Sequence, residues 1–169
     1  MTVQVAVCGP GTCTDVEAAR ARRVGELLAA RGAVVICGGG GGVMAAVAAG
    51  ARASGGLVIG VWPGDSREGA SSDLSATIVT GMGEARNVII VRSADAVISI
   101  GGSWGTLSEV ALAMRGGVPV VSIGGWRVTA AEGSAIPGVR HVATPEEAVT
   151  AALDDRSAPS GRSAGGTRG

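Results

Sequence analysis

Lysine, phenylalanine and tyrosine are all absent from the 169 residues, and each absence closes off a class of chemistry. Without lysine there is no Schiff base to pyridoxal phosphate, no P-loop lysine and no protein-kinase ATP site. Aromatic residues amount to 2%, all of them tryptophan, too few to line a groove with stacking platforms for single-stranded nucleic acid. The apolar 46% is therefore carried mainly by Ala, Val, Ile and Leu, enough for the core of one ordinary domain.

Charge of either sign is not in excess. Fourteen basic residues, all arginine, balance fourteen acidic ones, so no broad basic field exists to hold a polyphosphate backbone or an anionic membrane. Neither nucleic acid nor membrane is expected as a partner. Cys8, Cys13, Cys37 and the single histidine, His141, lack the spacing of a zinc knuckle, so the thiols read as packing groups in a reducing compartment. No metal and no resident cofactor are expected. The N-terminal residues lack a basic segment followed by an apolar run, which points to a cytoplasmic location. Residues 33–51 carry no charge over a bilayer-spanning length, but five consecutive glycines at 38–42 interrupt them. A strand, a loop and a helix fit that stretch better than a membrane helix.

What the chain does contain is an alternation of short apolar runs with helical stretches. Runs at 3–8, 34–37, 57–61, 76–80, 96–100 and 119–123 predict strands, with a weaker edge strand at 139–142. Thr14 with Glu17 forms a capping box that opens a helix to about residue 30, and Gly32 ends it. Further helices are predicted at 43–53, 83–93 and 106–115. The second of these is apolar on nearly every face through Val88, Ile89, Ile90 and Val91, which predicts burial in the core or against a second subunit. Thr144, Pro145 and Glu147 start a last helix to about residue 153. Residues 63–75 read as a polar surface loop, and the Ser, Gly, Arg and Ala composition of 154–169 predicts a disordered tail. Repeated strand and helix units predict one α/β domain over 1–153. It is a three-layer, Rossmann-like parallel sheet with helices on both faces and a ligand beyond the carboxyl ends of its strands.

Two glycine-rich turns, 38–42 and 101–105, each join the end of a predicted strand to the start of a helix. Glycine lets the backbone approach a ligand closely, and the free N–H groups of a helix N-terminus attract an anion, so two such turns favour a phosphate-bearing ligand. The dinucleotide fingerprint is not met: G-x-G-x-x-G begun at Gly38 requires glycine where Val43 stands, and no acid ends the second or third strand. Glu109, early in its helix, would reach a ligand above the helix N-terminus, and Arg86 would supply a cation for a base or phosphate. The plainer alternatives are a capping box over 106–109 for Glu109 and an interface or surface ion pair for Arg86. A rival lies in the same turn, where residues 101–105 satisfy G-x-S-x-G around Ser103, with Glu132 and His141 following in the order of an α/β-hydrolase triad. Trp104 and Trp62 read equally as ring-stacking or core residues.

Residues 81–119 read G-M-G-E-A-R-N-V-I-I-V-R-S-A-D-A-V-I-S-I-G-G-S-W-G-T-L-S-E-V-A-L-A-M-R-G-G-V-P, after an early C-G-P-G and a G-G-G-G-G-V-M. In that order these segments resemble the Lonely Guy (LOG) superfamily, formerly called lysine-decarboxylase-like. The likeness is nearest to the short branch that includes molybdenum-cofactor carrier proteins. Catalytic members hydrolyse the N-glycosidic bond of nucleoside 5′-monophosphates, using an Arg-Lys pair and the Glu of P-G-G-x-G-T-x-x-E. The resemblance places the catalytic Arg at Arg86 and the Glu at Glu109, with phosphate held by Gly102, Gly105 and Thr106. Gly9, Gly39, Gly40, Gly41, Asn87 and Ser103 complete the expected ligand-binding set. Asn87 stands where catalytic members have Lys, Gly101 replaces the Pro, and Ser103 replaces the second Gly. The expected function is therefore a phosphoribohydrolase or, alternatively, a non-catalytic carrier of a nucleotide or of the molybdenum cofactor. A small phosphorylated nucleotide-like ligand and a homo-oligomer, dimer or tetramer, are the expected partners.

Overall fold

A computed structural model describes residues 1–154 and converts the apolar runs into seven parallel strands. In chain order the elements are β1 (Gln4–Cys8), α1 (Asp15–Ala30), β2 (Val34–Cys37), α2 (Val43–Ala53), β3 (Val58–Trp62) and β4 (Ala76–Val79). A 3₁₀ turn (Gly83–Arg86) leads into α3 (Asn87–Arg92), followed by β5 (Ala96–Ile100), α4 (Trp104–Gly116), β6 (Val120–Ile123), β7 (Val139–Val142) and α5 (Pro145–Asp154). Strand order is β4-β3-β2-β1-β5-β6-β7. The chain moves outward from β1 through β4 and then returns to the other side of β1 with β5, which makes the β1/β5 junction the switch point where such sheets open a crevice.

The sheet is buried on both faces, which is why its central strands read as unbroken apolar runs. Val5, Val7, Val35 and Ile98 face the layer of α1, α2 and α5. Ala6, Cys8, Ile36 and Val97 face the layer of α3 and α4. The α1 capping box forms as expected: the Thr14 hydroxyl accepts from the Glu17 N–H at 3.2 Å, and the Thr14 N–H donates to Glu17 Oε2 at 2.8 Å. Ala21, Val24 and Leu28 then bury one stripe of the helix. The predicted helix at 83–93 divides at Arg86 into the 3₁₀ turn and α3. Ile90 and Val91 are buried in the chain's own core, while Val88 is 38% exposed, so a second subunit is not what covers the apolar pair. Helix α4 begins at Trp104, two residues earlier than expected, because Ser103 caps it. Asp154 ends α5, so it does not belong to the predicted disordered tail; residues 155–169 lie outside the described residues. Among the described residues no helix is long and apolar enough to cross a membrane.

Helices α1 and α2 touch backbone to backbone. A Cβ on Gly50 would fall on the carbonyl oxygen of Arg22, and one on Gly25 on that of Val47. Alanine is the better helix former by about 1 kcal/mol, yet here it must push two helices apart. Gly50→Ala is expected to lower stability in urea by about 1–3 kcal/mol, the usual scale of overpacking. Gly116→Ala, whose Cβ would meet only Val118 Cγ2 at 3.9 Å, changes it by less than about 1 kcal/mol.

Candidate functional site

Both glycine turns lie at the carboxyl edge of the sheet, one after β2 and one after β5, on either side of β1. Gly9 is wedged between them: a Cβ there would lie 2.5 Å from Val43 Cγ1 and 2.7 Å from the Ile100 carbonyl oxygen. Glycine at this position is required by packing alone. At the second turn the Ser103 hydroxyl accepts from the Thr106 N–H at 3.1 Å and lies 2.9 Å from the Thr106 hydroxyl. The N–H groups of Gly102, Ser103, Trp104 and Gly105 find no acceptor among the described residues. Four consecutive donors beside a hydroxyl, at the positive end of a 13-residue helix, form a cradle for an anion. At the first turn the Gly40, Gly41 and Gly42 N–H groups likewise find no acceptor among the described residues, whereas the Gly39 N–H bonds the Cys37 sulfur. Gly39 is buried and takes a φ of +79°, so glycine there is required by the backbone.

Arg86, Asn87 and Glu109 converge on the end of β1. Arg86 Nη1 donates to Asn87 Oδ1, Asn87 Nδ2 donates to Ser108 Oγ at 3.1 Å, and Ser108 Oγ donates to the Gly105 carbonyl oxygen at 2.7 Å. This relay ties the start of α3 to the first turn of α4. Arg86 also lies against the first turn, since a Cβ on Gly38 would sit 2.8 Å from its Nη2. Its Nε is buried without an acceptor among the described residues. A charged donor left unpaired in the interior is costly, and a ligand oxygen would satisfy it. Glu109 is 7% exposed and does not cap its helix, which corrects the capping-box alternative. It accepts a hydrogen bond from the Cys8 thiol; burial pushes its carboxyl up to about 7, against the Arg86 charge and the thiol, which hold it down. Burial and the neighbouring Glu109 likewise push the Cys8 thiol well up, so it is a neutral donor and not a nucleophile. No ion pair within 4 Å joins Arg86 to Glu109 among the described residues.

The hydrolase triad is not assembled. Ser103 is spent on its cap, Glu132 accepts from Ser134 at 2.6 Å, and no hydrogen bond among the described residues joins Ser103 to His141. Trp104 is 79% exposed and meets Trp126 edge to face, with ring centroids 4.9 Å apart. Trp126 in turn covers Gly102, where a Cβ would lie 2.8 Å from Trp126 Cδ1, so this glycine too is demanded by packing. Trp62 lies against Gly64 and Gly69 of the polar loop. Sequence reasoning missed Cys8, Ser108 and Trp126. It also missed a cavity of about 340 Å³ that runs from Ser103 and Thr106 along α4.

The raised Glu109 acid makes stability depend on pH. The folded protein holds this proton more tightly than the unfolded chain, so the associated stability is whole below about pH 4.5 and is lost as the pH rises through about 7. The loss is on the order of 3 kcal/mol. Denaturant titrations between about pH 4.5 and 7.5 should show the parent weakening with pH relative to Glu109→Gln, which has no proton to lose. Parallel profiles for the two proteins would contradict the placement of the carboxyl group.

Residues 2–149 match the SLOG cluster4 family. An uncharacterized protein of Archaeoglobus fulgidus is 45% identical over 147 residues, 87% of this chain and 92% of that one. A solved molybdenum cofactor binding protein from the phototrophic bacterium Rippkaea orientalis is 32% identical. The match covers 92% of this chain and 98% of that one, with a TM-score of 0.84. The molybdenum cofactor carrier protein of Chlamydomonas reinhardtii is 28% identical, with 91% and 98% covered and a TM-score of 0.78. DNA processing protein A of Streptococcus pneumoniae shares the fold alone, at 20% identity over 88% of this chain and 61% of that one, with a TM-score of 0.68. The fold therefore carries no argument against nucleic acid, and that expectation rests on charge and composition. With nearly its whole folded length matched, the chain belongs to the SLOG cluster4 family, within a LOG-like superfamily that includes molybdenum-cofactor carriers.

Proposed function

We propose that the protein binds a small phosphorylated, nucleotide-like ligand at the carboxyl ends of β1, β2 and β5 and serves as its carrier. The molybdenum cofactor, a phosphorylated pterin, is the cargo suggested by the names of its structural relatives. The observation that carries the reading is the run of four unpaired N–H groups at 102–105 beside the Thr106 hydroxyl. Phosphate oxygens would accept from these donors, and Arg86, whose Nε lacks an acceptor among the described residues, would supply a charged contact.

Carriage is favoured over hydrolysis by the state of the two residues that hydrolysis needs. Asn87 brings no charge where catalytic LOG members have Lys, and it engages the neighbouring Arg86. With its pKa raised to about 7, Glu109 is only about half ionised at neutral pH, whereas stabilising an oxocarbenium-like centre requires a carboxylate. The same value favours one second reading, a phosphoribohydrolase in which Glu109 handles a proton near neutral pH. A homo-oligomer belongs to the proposal as well, with exposed Val88 beside Arg86 offering an apolar contact for a second copy.

The test is equilibrium binding of ribose 5-phosphate, nucleoside 5′-monophosphates and the molybdenum cofactor, with the monophosphates also assayed for release of free base. Binding without base release is expected, and Thr106→Val should weaken every phosphorylated compound by about tenfold, the scale of one hydrogen bond to a charged group. Release of base that disappears in Glu109→Gln would establish the hydrolase instead.

A further inference from the structure

The cavity beside the anion cradle has features that phosphate binding leaves unused. Its walls are apolar, formed by Val110, Ala111 and Met114 of α4 and by Val128 and Ile136 of the segment between β6 and β7. Its floor is not. Ser99 of β5 pairs in register with Ser122 of β6, and Ser122 with His141 of β7, so three polar side chains line up across adjacent strands. The row beneath them is Val97, Val120 and Val139, the ordinary filling of a sheet covered by a helix. Ser99 is 2% exposed and lines the cavity. Ser122 donates to the Gly124 carbonyl oxygen at 2.9 Å, which leaves its oxygen free to accept. A polar row on a sheet face that is otherwise apolar needs hydrogen-bond partners, and a guest in the cavity would supply them.

We propose that this cavity receives the flat heteroaromatic ring of the same ligand whose phosphate sits on the N–H groups at 102–105. The inference rests on the phosphate reading above and extends it by assigning the rest of the molecule. About 340 Å³ is at the small end of ligand pockets, suited to a fused bicyclic ring and little more. Apolar walls accept the faces of such a ring, while Ser99 and Ser122 offer a donor and an acceptor to its polar edge. A lipid tail has no use for a polar floor. Ser103 and Thr106 line both the cavity and the cradle, so one molecule reaches both. Trp126, lying on Gly102, and Trp104 at its edge flank the passage between them. A ring held here lies along the face of α4 that carries Leu107, Val110 and Met114, whereas Glu109 faces Cys8 and β1. The bond between ring and sugar is then kept away from Glu109, which is what a carrier requires.

Calorimetric binding of adenosine 5′-monophosphate, guanosine 5′-monophosphate and ribose 5-phosphate to the full chain tests this. The parent should bind at least one nucleotide about tenfold more tightly than ribose 5-phosphate. Ala111→Phe, which fills the cavity, should remove that advantage while leaving ribose 5-phosphate binding in place. Ser99→Ala, which changes no volume of consequence, should reduce the advantage about threefold or more. If the ring gains nothing in the parent, or if Ser99→Ala and a folded Ala111→Phe both retain the full gain, the ring lies elsewhere and the inference is overturned while the phosphate reading stands. If the parent binds none of the three compounds, the phosphate reading itself fails and takes the inference with it.

Discussion

A parallel sheet covered by helices on both faces has nowhere to present polar groups except the ends of its strands, and here the strand order reverses at β1. Both glycine turns, Arg86 and Glu109 gather at that reversal. Gly9 lets the end of β5 and the start of α2 close around the end of β1. Cys8, one residue earlier, becomes the donor that holds Glu109 in place. The turn after β5 must feed α4 across this junction, and in doing so it leaves four N–H groups unpaired. Had the chain continued outward without reversing, those donors would lie over a neighbouring loop instead of over a crevice.

Much of this architecture was legible in the residues. Runs such as Ala96–Ile100 admit no helix-like polar face and are too short for anything but a buried strand, and the Thr14 and Glu17 box fixed the start of α1. Thr, Leu, Ser and Glu at 106–109 make a formally good cap and predict a start of α4 at Thr106. Ser103 caps it instead, and Glu109 turns inward to a thiol contributed by β1. That partnership joins residues far apart in sequence, and no local pattern announces it. The polar floor of the cavity is hidden for a related reason: Ser99, Ser122 and His141 are unremarkable one by one and become a row only when strand register is known.

Several glycines that look like phosphate ligands are also explained by close packing. Gly9 and Gly102 each face a neighbour that a side chain would strike, and Gly39 takes a φ of +79°, in the left-handed region. What distinguishes the second turn is the pair of hydroxyls, Ser103 and Thr106, set beside N–H groups that find no acceptor among the described residues. The departures from the catalytic LOG pattern have a physical reading in the same terms. Asn87 exchanges a mobile charge for a fixed relay from Arg86 through Ser108 to Gly105, which in the proposed reading suits a holder with a buried, half-ionised acid beside it.

The central claim is that the N–H groups of 102–105 are an anion cradle, and amide chemical shifts read those groups one at a time. In a ¹⁵N–¹H NMR titration with ribose 5-phosphate, the amides of Gly102, Ser103, Trp104 and Gly105 should move most and saturate together, with those of Gly40, Gly41 and Gly42 following. A titration in which these amides stay still while others saturate would contradict the account at its foundation.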